Sequence, residues 1–270
     1  FDVRASIEFF KTMQKGNQFS GGAAPAFLRT HPITTDRISD IQDRLSEYPY
    51  KQRIDSDYFY YVKGKIKAFL QEEKTIITIL ERNIKNKTYI NEAGERFGLA
   101  YAYLRNNMIL KARSELEYIK KDKTSNAMLL NLEAIILIQE GKQKEATQLY
   151  KKGLLMFPNH RAFVYGLAEH YIRSSKITIA IDLLQDYLLI YPKDPNLYEL
   201  MAKAQAAKGK VLLQHENLAE AFYYRYNIRE AISLLDLAVR AQDGNFYERS
   251  RVESRLKELK KEWEQFSKGL

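Results

Sequence analysis

The chain has 270 residues, 45% hydrophobic and 29% charged, which supplies apolar material for a core and excludes a disordered polymer. Twelve glycines and six prolines exclude a collagenous or linker-like chain, and the absence of cysteine removes disulfides, thiolate zinc sites and cysteine nucleophiles. The net charge is +9, with 16 basic against 10 acidic residues over 51–125 and six of each over 1–50. No arginine cluster or glycine-rich phosphate loop accompanies that excess. It reads as a Lys-rich solvated surface, and no nucleic-acid partner is expected. No apolar run approaches the ~18 residues of a membrane span. The first residue is Phe1, so the chain reads as a piece of something longer.

Residues 1–50 form an irregular helical and loop segment. Ile7, Phe9, Phe10 and Met13 suit a short helix, followed by an irregular stretch from Gly16 to Pro32. Thr34 or Thr35 can then cap a helix from about Asp36 to Glu47. Residues 56–87 read as a degenerate helical hairpin opened by Tyr58, Phe59, Tyr60 and Tyr61.

From there small residues recur at a fixed period. Ala100, Ala134, Ala168 and Ala202 are spaced by 34, as are Ala112, Ala146 and Ala180, and Pro158 and Pro192. A stack of helical hairpins explains all three series. Alanine sits where helices cross closely, and proline ends each second helix because it cannot continue one. Stacking completes a core that one hairpin cannot bury. Clear units are predicted at 93–126, 127–160 and 161–194. After Ala202 the register slips, which predicts a degenerate unit over 195–245 and an unpaired helix near 196–208. Residues 246–266 alternate charge around Val252, Leu256, Leu259 and Trp263, predicting a capping helix.

These units resemble the tetratricopeptide (TPR) repeat. Leu130, Ala134, Leu137, Ala146, Tyr150, Gly153 and Pro158 carry the match over 127–160, and the next unit repeats it with Val164, Leu167, Ala168, Tyr171, Ala180, Leu184 and Pro192. The fold class is therefore all-α: a TPR-type solenoid of helical hairpins, with an irregular N-terminal segment and a C-terminal capping helix. Helical content should be at least about 65%, with no sheet. The resemblance implies a concave groove lined by first-helix residues: Phe97, Tyr101, Leu104 and Arg105; Met128, Asn131, Ile135 and Gln139; Tyr165, Glu169, Ile172 and Arg173. The Lys and Asn pair of carboxylate-clamp TPR domains is missing from the matching positions. The groove is therefore expected to take a protein or unfolded polypeptide as an extended segment rather than a free C-terminus.

Few residues suggest catalysis. His215-Glu216-Asn217-Leu218-Ala219 nearly matches a zinc-protease helix, but Ala219 stands where the second ligand is needed. His215 is read as structural, His160 as solvated after Pro158, and His170 as a surface residue beside Glu169. No nucleophile elbow, dinucleotide fingerprint or calcium loop is present.

Phe1-Asp2, Ala26-Phe27-Leu28, Thr30-His31-Pro32 and Arg37 precede the repeats, and Gly244-Asn245-Phe246-Tyr247, Ser250-Arg251-Val252 and Arg255-Leu256 follow them. In this order and spacing the chain resembles the C-terminal region of BepA-like bacterial zinc metallopeptidases, relatives of the protease HtpX. The resemblance implies that residues 1–50 are the end of a metallopeptidase domain and 51–270 a TPR domain. It implies a periplasmic location, a role in outer-membrane protein quality control, and contact with the outer-membrane assembly machinery. The HExxH helix of that family is absent from these 270 residues. No catalytic residue or cofactor is therefore expected in this chain, whereas the parent would be a zinc endopeptidase. By the same resemblance His31, on a loop with Thr30, Pro32 and Arg37, is a regulatory fourth zinc ligand only together with the absent protease domain, and binds no metal in these 270 residues. A non-catalytic TPR scaffold that binds peptide segments is the alternative.

Overall fold

The computed structural model describes residues 7–12, 39, 41–44, 55–121 and 126–268. Two compact units are present, Phe1–Phe59 and Tyr60–Leu270. In the first, residues 7–12 are helical, with the Phe9 and Phe10 rings edge to face at 5.6 Å. Thr30, His31, Pro32 and Arg37 lie outside the described residues.

The described residues are 81% helical, and no strand occurs among them. Helices run α1 (Asp57–Leu70), α2 (Glu73–Lys85), α3 (Glu92–Arg105), α4 (Ile109–Lys120), α5 (Ala127–Gln139) and α6 (Gln143–Met156). They continue as α7 (Ala162–Arg173), α8 (Ile177–Ile190), α9 (Pro195–Ala207), α10 (Val211–Tyr223), α11 (Ile228–Arg240) and α12 (Phe246–Lys268). From α2 onward each helix packs against the next, and α7 also packs against α5 and α9, which makes the second unit a helical solenoid.

The periodic alanines explain the close crossings. Ala100, Ala134, Ala168, Ala112, Ala146 and Ala180 are all fully buried. Four hairpins turn through a residue of positive φ at the same interval: Asn107, Gly141, Ser175 and Gly209. That left-handed residue reverses the chain in two or three positions, and the second helix starts directly after it. The first helices α3, α5 and α9 are capped by side chains, and α7 is not. Asn91 accepts from Gly94 N, Asn126 from Met128 N and Asp194 from Asn196 N.

Two glycines make room for aromatic rings between α6 and α7. The Phe163 ring lies on Gly153 and the Tyr150 ring on Gly166, where an added Cβ would sit 2.5 Å from ring carbons.

The expected register slip is corrected. The helix near 196–208 is not unpaired: α9 pairs with α10 as a further hairpin, and α11 then pairs with α12. The period persists in the starts of the second helices, Ile109, Gln143, Ile177 and Val211. The alanine signal stops because Gln214 follows Ala180 in its series, and the proline signal because Tyr226 follows Pro192. Tyr226 takes positive φ and is 96% exposed, so this bend is made by a left-handed residue instead of proline.

Candidate functional site: a concave cavity

A cavity of about 670 Å³ opens between α1, α5, α6, α7 and α9. Its walls include Lys65, Asn131, Ile135, Gln139, Tyr165, Glu169, His170, Arg173 and Leu200, with Tyr150 and Gly166 in its floor. Six expected groove residues therefore meet here: Asn131, Ile135, Gln139, Tyr165, Glu169 and Arg173.

Phe97, Tyr101 and Arg105 are corrected. Phe97 and Tyr101 are buried rather than open to a ligand. Helix α1 lies over this part of α3, with the Tyr61 ring 4.8 Å from Phe97 and the Phe69 ring 6.0 Å from Tyr101. Glycines permit the approach. A Cβ on Gly98 would lie 2.6 Å from the Gly64 carbonyl oxygen, and one on Gly64 only 2.1 Å from that of Gly94. Arg105 is occupied holding α1 down, donating to the Ala68 carbonyl and pairing with Glu73 at 3.1 Å.

The cavity's remaining groups are largely engaged with one another. Tyr165 donates to Asp194 Oδ2 at 2.5 Å, and Arg161 pairs with the same oxygen. Burial, followed by this bond to a carboxylate, pushes the Tyr165 phenol up to about 12. Glu169 bridges Arg173 at 3.2 Å and Lys203 at 3.3 Å, tying α7 to α9. Asn131 is largely buried in the same wall.

Two histidines differ from expectation. His170 is only 3% exposed, not a surface residue. Its Nε2 lies 3.0 Å from Thr147 Oγ1, and that hydroxyl already donates to the Gln143 carbonyl at 2.9 Å. Thr147 must therefore accept, which makes Nε2 the protonated nitrogen of a neutral imidazole. His160 is half-buried against the Phe163 ring at 5.3 Å rather than solvated. His215 is half-buried on α10, in line with a packing role.

Burial depresses the pKa of His170, with the charge of Lys176 a smaller contribution. Unfolded His170 thus binds a proton more readily than the native residue, so stability rises with pH. Its contribution is present above the ordinary histidine value and is lost as pH falls toward the depressed one. Urea unfolding should show stability declining from pH 7.5 to 5, less steeply in His170→Gln. His160, also depressed by burial, acts with the same sign and should leave a residual slope.

Lys65 had no place in the repeat pattern, because α1 has diverged from it. It lines the cavity through its position beside Gly64, and its Nζ stands 4.8 Å over the Tyr101 ring. The glycine at 64, facing the pair at 94 and 98, was the sequence signal for this helix crossing.

No three metal-ligating side chains converge among the described residues. No described helix is long and apolar enough to cross a membrane.

The tetratricopeptide repeat family matches residues 137–204. The beta-barrel assembly-enhancing protease of Yersinia pestis is 24% identical over 270 residues, covering 99% of this chain and 55% of that protein. The protein of the same name from Escherichia coli K12 is 24% identical over 268 residues, covering 98% of this chain and 54% of that protein. The chain spans about half the length of the curated relatives it matches. Among solved structures, MamA from Desulfovibrio magneticus is similar at a TM-score of 0.42 and 19% identity, covering 63% of this chain and 96% of that one.

Proposed function

We propose that this chain is the TPR protein-interaction and substrate-recruiting region of an exported zinc metalloendopeptidase that serves outer-membrane protein quality control and assembly. The match to two relatives named beta-barrel assembly-enhancing protease, running over nearly the whole chain, is the observation that carries the reading. The concave cavity supports it, because it offers apolar walls from Ile135 and Leu200 beside amides and charges suited to an extended polypeptide. On this reading the protein works in the periplasm, and the cleavage chemistry belongs to a part of the parent outside these residues. His31, with Thr30, Pro32 and Arg37, enters the proposal through resemblance alone.

A photo-reactive amino acid placed in turn at Gln139 and Arg173, both exposed at the cavity, tests the recruiting role. In cells of the source organism it should crosslink to outer-membrane barrel chains or components of their assembly machinery, identified by mass spectrometry. Equal expression with no such product from either position would reject the cavity as the recruiting surface. The parent gene should also encode HExxH, and its absence would favour a non-catalytic scaffold.

A further inference from the structure

We infer that the concave cavity selects polypeptide segments carrying an Asp or Glu side chain, with the Lys65 ammonium as the counter-charge. The inference deepens the reading of the cavity as a polypeptide groove and rests on it.

Lys65 is the one cation lining this cavity, among the described residues, with neither an ion pair nor a hydrogen bond. Arg173 is paired with Glu169, which also takes Lys203 from α9. At the edge of α1, Arg105 is paired with Glu73 and Lys67 with Glu95 at 2.9 Å. His160 and His170 add no competing positive charge near neutral pH, since burial holds both toward their neutral forms. Lys65 is half-buried, and its Nζ stands over the face of Tyr101. A ring face attracts an ammonium but does not replace a counter-ion. A partly desolvated cation without an anion carries a standing penalty, which an incoming carboxylate removes.

The charge arithmetic narrows the ligand. One unpaired ammonium matches one carboxylate. A nucleic acid would need a track of unpaired cations, and the neighbouring Arg and Lys residues are already neutralised. A side-chain carboxylate fits better than a chain end, because the cavity wall extends from Lys65 on α1 to Arg173 and Ser174 at the end of α7. A segment bound there can therefore continue along the wall beyond the residue that meets Lys65. The Asn131 and Gln139 amides lie in the same wall and can serve its backbone.

The test uses the whole chain and three fluorescent nonapeptide pools, each with mixed residues other than Asp and Glu around a central position. One pool has central Glu and capped ends, the second central Gln and capped ends, and the third central Gln with a free C-terminal carboxylate. The Glu pool should bind about tenfold tighter than the capped Gln pool, the scale of one charge pair in a partly dry site. Lys65→Met should erase that ratio, and Lys65→Arg should keep most of it. Equal binding of the two capped pools to the native chain overturns the inference while leaving the groove reading intact, and needs no variant to fold. A preference that survives in Lys65→Met also overturns it. Tightest binding by the free-carboxylate pool would replace the side-chain source with a chain end. Binding of no pool would sink the groove reading as well.

Discussion

Replacing Asp194 by Ala should cost the solenoid about 2–4 kcal/mol, the sum of a lost helix cap and the hydrogen-bond partners left behind. Asp194 is almost fully buried and performs three tasks with one carboxylate. Oδ1 accepts from Asn196 N at 3.0 Å, capping α9, and Pro195 follows at the first helical position. Oδ2 takes the Tyr165 phenol and the Arg161 guanidinium, both from the preceding unit. The residue therefore joins α7 to the start of α9. Alanine would leave the phenol without its acceptor and the α9 terminus without its cap. Asp194→Asn should recover about 1 kcal/mol, because an amide oxygen still caps. Equilibrium urea unfolding of the three proteins checks the order, and a loss below about 0.5 kcal/mol for Asp194→Ala, the size of an ordinary surface change, would contradict it.

The second large effect is expected at Gly98, where two opposing influences give the outcome a diagnostic sign. In an exposed helix interior, Gly→Ala stabilises by about 1 kcal/mol. Here the new methyl would meet the Gly64 backbone, with the carbonyl oxygen at 2.6 Å and the carbonyl carbon at 2.9 Å. Backbone cannot rotate aside as a side chain can, so α1 must shift away from α3. Net destabilisation of about 1–3 kcal/mol is expected, the usual cost of overpacking. Hydrogen exchange should accelerate first in α1. Because α1 carries Lys65 to the cavity, binding of the Glu-centred peptides should weaken as well. A more stable Gly98→Ala protein would show that the crossing relaxes freely.

The repeat was legible because a 34-residue period is stamped on several independent features. The alanines mark helix crossings that admit no larger side chain, and Pro158 and Pro192 mark helix ends. The left-handed turn residues carry the same period but mix Asn, Gly and Ser, so only the backbone reveals them. The fifth hairpin was missed because Gln214 and Tyr226 occupy two of the marker positions. The candidate site was legible on α5 and α7, where the repeat is regular. It was misread on α3, because Phe97 and Tyr101 occupy groove positions in the motif yet lie beneath α1. His170 was misread for a different reason. Its partner Thr147 belongs to the preceding unit, a pairing that the charge pattern of one helix does not reveal.

The distribution of the core carries a mechanical consequence. Buried apolar residues form four successive clusters along the solenoid rather than one centre. Helix α5 is divided between two of them, Leu129, Leu132 and Ile136 facing the first and Ala127 and Ala134 the second. The first three clusters are thus cemented to one another through shared helices, much as bricks are bonded by overlap, whereas the last, on α10, α11 and α12, shares no helix with the one before it. A pulling force applied along the array would not be borne by the whole core at once, and would peel the chain cluster by cluster from an end. Elastic give at the tips, with an intact middle, follows from that order of release.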